Sequence, residues 1–300
     1  MSPIAAPARL SALIVNYRSY DELDVCLTSL TRALDLSLDE IVVVDHDSDP
    51  ARRAGIAERF PYVRLVPSDA NPGFGAGINA AAARATGRVL LVLNPDAEAS
   101  PGVGGHMVNW FDTEPSVGMV GPLVRTGDGV IDASARRFPG WSTVFGGRSA
   151  WLTRAWPGNP MSRRNLLTGP EVTEPLDVDW LSGACMAIRR EVFDQLAGFD
   201  EQFFMYWEDA DLCKRAREAG WRVVYDPRVS VRHLGSRSSN KRPIASTIAF
   251  HRSVLRYYLK HGGPARVVGA PFVYLALQAR LAFTVARATL GAARHEHEGH

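Results

Sequence analysis

Through its first hundred residues the chain alternates short, continuous apolar runs with segments of helical period. LSALIV (10–15), EIVVVD (40–45), VRLVP (63–67) and RVLLVLN (88–94) are strand-length runs. Between them, residues 21–34 place Leu23, Leu27, Leu30 and Leu34 on one helical face, and 51–59 and an alanine-rich stretch at 78–85 also read as helices. Strands apolar on both sides and separated by helices predict an α/β fold: a mostly parallel central sheet with helices on both faces. MVGPLV (119–124), VDWLSGACMAIRR (178–190), WRVVYDP and VSVRHLG read as further strands. Residues 141–168, rich in Trp, Gly, Pro and Arg without a period, predict a variable excursion. After about residue 252 the chain turns helical, basic and apolar.

In open sheets of this kind ligands sit at the carboxyl ends of the strands. Those ends carry Asn16-Tyr17, Asp45-His46-Asp47 and Asn94-Pro95-Asp96. An amide and a carboxylate two residues apart can aim oxygens at one hard cation bridging a diphosphate, although the same residues also make an ordinary polar turn. His233 is a nitrogen-ligand candidate or a plain strand-end residue. GAGINA (75–80) matches a dinucleotide fingerprint, with Asp96 at about the distance of a ribose contact. The strand before it ends near Pro67 and an Asn-Pro turn intervenes, which argues against a nicotinamide enzyme.

The helical stretch 208–219 opens with carboxylates, carries basic residues later and ends at Gly220. Its apolar stripe is Leu212, Cys213, Ala216 and Ala219. Asp209 precedes that stripe on the same face, whereas Asp211 is spaced to pair with Lys214 and Arg215. An acid on the inward edge, after a run of aromatics, is a general-base candidate with a raised pKa; a helix-N-terminal acid of no further role is the plain alternative.

Composition narrows the field. The 300 residues allow one large domain or two small ones, and a net charge of +2 gives no case for nucleic-acid binding. Three widely spaced cysteines, without CxxC, suit a reducing compartment. The first residues lack a basic region ahead of an apolar run, so no signal peptide is expected. The apolar run at 267–279 contains a proline and is followed by Arg280, so no spanning helix is expected either.

Five blocks in order, ALIVNYRSYDEL, EIVVVDHDSD, NPGFGAGINAA with VLLVLNPDAE, WLSGACMAIRREVFDQLAGFDEQFFMYWEDADLCKRAREAGW and VVYDPRVSVRH, resemble the inverting glycosyltransferases of family 2, with the GT-A fold, over about residues 10–235. NPD and the GFDEQFFMYWEDADL run are similar to the bacterial rhamnosyltransferase branch. The resemblance implies that Asn16, Tyr17 and Asp45 line the base and ribose pocket and that Asn79 belongs to the donor site. Asn94 and Asp96 would occupy the DxD position, with Asp96 and His233 holding a divalent metal, Mg2+ or Mn2+. Asp209 would be the catalytic base, supported on the acceptor side by Trp180, Gly183 and Glu208. His46-Asp47 departs from the family, which often has Asn and a small residue there.

The resemblance further implies a catalytic domain at 1–250, a helical extension at 251–300, and rhamnosyl transfer from dTDP-L-rhamnose to a lipid-linked saccharide such as polyprenyl-diphosphate N-acetylglucosamine. Alternatives are a UDP- or GDP-sugar donor, or a nucleotide-sugar-binding protein without catalysis. Arg266, Arg280, Arg287 and Arg294 fall at multiples of seven, with Phe272, Leu275, Leu277, Leu281, Phe283 and Leu290 between them. A basic, apolar helix of this kind suits an anionic membrane surface, and so a peripheral place on the inner face of the cell membrane. Packing on its own domain or a homo-oligomer contact is the alternative. The terminal HEHEGH reads as an exposed, disordered tail.

Overall fold

The computed structural model describes residues 7–46, 49–138, 167–235, 243–264 and 266–297. Asp47, most of the 141–168 excursion, the side chains of Arg287, Leu290 and Arg294, and those of the terminal histidine run lie outside the described residues. The chain divides into two units, one of Met1–Glu201 with Asp209–Gly235, the other of Gln202–Glu208 with Ser236–His300.

In the first unit, β1 (Leu10–Tyr17), β2 (Asp39–His46), β3 (Val63–Ser68) and β4 (Val89–Leu93) form a parallel half-sheet in the order β3-β2-β1-β4. The sheet continues through β10 (Cys185–Arg189), β6 (Val117–Thr126), β11 (Arg222–His233) and β5 (Ala97–Ala99), with β8 (Leu176–Asp177) also on β11. Strands β10, β5 and β8 run against the other six. β7 (Ala135–Arg136) and β9 (Trp180–Leu181) make a separate pair.

The helices cover both faces. On one, α1 (Tyr20–Ala33), α2 (Pro50–Arg59) and α4 (Val103–Thr113) bury Leu23, Leu27, Ile56 and Met107 against Ile14, Val43 and Leu91. On the other, α3 (Phe74–Ala82), α5 (Arg190–Gln195) and α6 (Glu208–Glu218) bury Ile78, Phe193 and Leu212 against Leu13, Val42 and Val92. Alternate residues of one strand thus feed two cores, as an uninterrupted apolar run requires.

Several expectations need correction. The 178–190 run is two strands, because Ser182 and Gly183 turn away between β9 and β10; the Ser182 N–H donates to the Ser134 carbonyl. WRVVYDP and VSVRHLG are one strand, β11, interrupted by a bulge. Ala219 is exposed and does not extend the α6 stripe. Asp211 does pair with Arg215, at 2.8 Å, but it is fully buried, and Arg215 also donates to the carbonyls of Leu196 and Gly198.

The second unit contains α7 (Pro243–His261) and α8 (Arg266–His297). The Tyr206 and Trp207 rings pack on Phe250, and Trp207 also meets Tyr257, while the Ser253 hydroxyl donates to the Met205 carbonyl. Helix α8 runs on through Pro271, and Arg266–Val285 is long and apolar enough, by length and composition, to cross a membrane.

Candidate active site

At the carboxyl ends of β1 and β2, Asn16 and Asp45 are partners in register and both are buried. The Asn16 amide donates to Asp45 Oδ1 at 2.7 Å and the Tyr20 hydroxyl to Asp45 Oδ2 at 2.8 Å. Tyr20 in turn accepts from the Asp49 N–H at 2.9 Å. Burial, and then the hydrogen bond to Asp45, push the Tyr20 phenol up to about 12, so it stays a donor. Both Asp45 oxygens are therefore engaged within the protein, and Tyr17 is the more open member of this group. Tyr20 was not among the sequence candidates. The available signal was an aromatic at a helix start on the buried face.

The turn after β4 carries the second group. Asp96 Oδ1 lies 3.1 Å from His233 Nε2, at the end of β11, and the Asn94 amide is 3.3 Å from the same nitrogen. Pairing of β5 with β11 makes this meeting, since His233 stands opposite Ala97. Burial alone would lower the His233 pKa, but the hydrogen bond and charge of Asp96, with the charge of Asp132, outweigh it and raise it. Asp132 is a second residue that sequence reasoning did not single out. Among the described residues no three His, Cys, Asp or Glu side chains gather as a ready metal cage. One carboxylate and one imidazole side by side still fit a divalent cation that takes its remaining ligands from diphosphate oxygens and water.

Asp209, in the first turn of α6, keeps part of its surface open. Its Oδ2 accepts from the Gly183 N–H at 2.9 Å and its Oδ1 from the Ala210 N–H at 2.8 Å. Burial among protein atoms raises its pKa against these two donors and the smaller opposing effects of Arg136 and Trp180. Arg136 and Trp180 are register partners in the β7–β9 pair, with the guanidinium 4.9 Å from the indole ring centroid. Gly183 is a close-approach glycine: an added Cβ would stand 3.3 Å from the Phe74 ring and 3.6 Å from the Asp209 Cβ. Glu208, which opens α6, is buried.

One pair of residues joins the last two groups. Gly183 donates to Asp209, while the carbonyl of the next residue, Ala184, accepts from the Asn94 N–H at 3.1 Å. The base candidate and the Asn94–Asp96–His233 group are thus fixed to the same short turn. Asn79 is differently employed. Its amide donates to the Phe199 carbonyl at 2.9 Å and to Glu201 at 3.0 Å, and accepts from the Phe199 N–H, so it pins the 199–201 loop. The GAGINA glycines are packing features. A Cβ on Gly77 would fall 2.6 Å from Val15, and just ahead of the run Gly73 caps α3 with φ of 110°. His46 is buried, and burial lowers its pKa.

A family model described as glycosyl transferase family 2 matches residues 11–197. The N-acetylglucosaminyl-diphospho-decaprenol L-rhamnosyltransferase of Mycobacterium tuberculosis is 33% identical over 266 residues, 85% of either chain. Among solved structures, GalNAc-T7 with UDP, GalNAc and Mn2+ matches with a TM-score of 0.61 at 16% identity, over 85% of this chain and 48% of that one. The mannosyltransferase PcManGT from Pyrobaculum calidifontis, in complex with GDP-Man and Mn2+, gives 0.60 at 18% identity, over 97% and 81%. These two likenesses show the fold, which is GT-A. The chain belongs to glycosyl transferase family 2 and is a glycosyltransferase.

Proposed function

We propose that this family 2 glycosyltransferase moves a rhamnosyl group, with inversion, from dTDP-L-rhamnose to a lipid-linked saccharide such as polyprenyl-diphosphate N-acetylglucosamine. The mycobacterial relative's name supports that choice of sugar and acceptor. The observation that carries the chemistry is the 183–184 turn, which ties a part-open, raised-pKa carboxylate to the Asn94–Asp96–His233 group.

In this reading Asp209 takes the proton from the acceptor hydroxyl as its oxygen attacks the anomeric carbon. The bond from that carbon to the diphosphate breaks on the opposite side, and the nucleoside diphosphate leaves with the electron pair. With one carboxylate as base and no second as nucleophile, a single displacement inverts the centre. Asp96 and His233 would hold a divalent cation, Mg2+ or Mn2+, whose charge offsets that developing on the departing diphosphate. Gly183 and Trp180 hold the base in place, and Tyr17 is the open side chain beside the buried Asn16–Asp45 pair for the nucleoside. Asp209→Asn should cut transfer about 10³-fold while calorimetry shows donor binding within about twofold of wild type; unimpaired turnover in this variant would remove Asp209 from the mechanism.

The same reading puts the second unit at an anionic membrane surface on the cytoplasmic side, where a polyprenyl-linked acceptor is reached. Val267, Val268, Phe272, Leu275 and Phe283 are all more than half exposed. At 100° per residue they fall within an arc of about 160° on one side of α8. Arg280 lies off that arc, its guanidinium 5.5 Å from the Phe250 ring centroid, so apolar side chains rather than this arginine carry the surface. Co-sedimentation with phosphatidylglycerol vesicles should be lost in Phe272→Asp/Leu275→Asp. Undiminished binding by that variant would count against the surface.

A further inference from the structure

Strand β11 does not keep its alternation. Val224 and Val231 belong to the same buried cluster, and Val223 and Tyr225 to the one on the opposite face of the sheet. Val231 lies seven positions after Val224, and in an uninterrupted strand of period two they would face opposite ways. The register explains the reversal. Asp226 stands opposite Pro122 and Ser230 opposite Leu123, so residues 227–229 have no counterpart on β6. An odd insertion exchanges the faces of everything that follows. As a result Val231 and His233 share the side of Ala99 and Ala97, and Arg232 turns to the other, where it pairs with Glu98 at 2.7 Å. Without the bulge, Ser230 would stand opposite Thr126, where His233 now stands.

What holds the bulge is one carboxylate. Asp226 is fully buried. Its Oδ1 accepts from the Arg228 N–H at 3.0 Å and from Arg228 Nε at 2.9 Å. Its Oδ2 accepts from Arg228 Nη2 at 2.7 Å and Trp110 Nε1 at 2.6 Å, and lies 2.7 Å from His106 Nε2. The bond to the N–H two residues on makes an Asx-type turn of the chain itself, and the Arg228 guanidinium with His106 and Trp110 of α4 supplies the other partners. On the far side the Ser100 N–H donates to the Ser230 carbonyl at 3.1 Å and the two serine hydroxyls are 3.0 Å apart. Pro227, which has no N–H to offer a neighbouring strand, sits where the ladder is already broken.

We infer that Asp226 is a positioning residue for the active site: by pinning a three-residue bulge it brings His233, rather than Ser230, opposite Ala97 and so beside Asp96. The inference rests on the proposed role of His233 in the site, and its test separates the two. In protein labelled with 15N-histidine, the ring signals of His233, assigned from His233→Ala, report its surroundings directly. In Asp226→Ala those signals should move while near-ultraviolet circular dichroism shows a packed protein, and Mn2+ binding should weaken at least tenfold. If Asp226→Ala does not fold, Trp110→Phe/Arg228→Ala removes three of the side-chain donors and should give the same shifts. A folded variant with unchanged His233 signals and unchanged Mn2+ affinity overturns the inference. If instead His233→Ala binds Mn2+ like wild type, the metal role of His233 fails, while displaced ring signals in Asp226→Ala still uphold the positioning.

Discussion

Asp209 and Asp226 are two aspartates of the same unit put to opposite uses. Asp226 has both oxygens saturated, by Arg228, Trp110 and His106, and although burial opposes its ionisation these partners hold its pKa well below the ordinary range. Asp209 has two backbone donors and an open side, and burial prevails, so its pKa is raised. The difference teaches that burial alone does not mark a reactive carboxylate. What marks it is burial left under-compensated, which keeps proton affinity available for a substrate.

Breaking each side of this comparison should give opposite results. The largest effect belongs to Asp209→Asn, with a fall in transfer of about 10³-fold, within the usual range for a general base, measured as kcat/KM. Its stability should rise at neutral pH, because a carboxylate whose folded pKa is raised is stabilising when protonated and costs stability once ionised. Asp226→Ala should lose about 1–2 kcal/mol in urea unfolding, since it removes the hydrogen bonds of a buried carboxylate to partly exposed donors. The sign with pH follows from its depressed pKa: the contribution of Asp226 is complete above about pH 4 and is lost as pH falls towards its folded value. The stability difference between wild type and this variant should therefore narrow in acid. Gly183→Ala, which crowds Phe74 and the Asp209 Cβ, should cost transfer about tenfold with little change in melting temperature. Least affected should be Arg52→Ala, which removes an ion pair with Asp21 between largely exposed side chains and should shift stability by no more than about 0.5 kcal/mol.

The contrast also shows where sequence reading succeeds. β1, β2 and β4 are continuous apolar runs inside a sheet covered on both faces, so pattern and structure coincide. The placement of Asp209 followed from the three- and four-residue spacing to Leu212 and Cys213, which are buried. Helix α4 went unread because Pro101, Gly102, Gly104 and Gly105 crowd its start and weaken any helical signal. Asp211 was seen as a partner of Arg215, but spacing along a helix does not say which pairs are covered by other elements. β11 was read as two strands because Asp-Pro-Arg looks like a turn, and only the register against β6 reveals one strand with reversed faces. Asp132 and Arg136 reach the candidate site through tertiary contacts, for which local pattern holds no signal.

The most direct test of the account is the pH dependence of kcat/KM for rhamnosyl transfer, with the donor saturating and the acceptor varied. The account predicts an acid limb set by one group whose apparent pKa lies above the ordinary aspartate value of about 3.9, and its disappearance from the residual activity of Asp209→Asn. A limb at the ordinary value, or one that persists unchanged in Asp209→Asn, would contradict it.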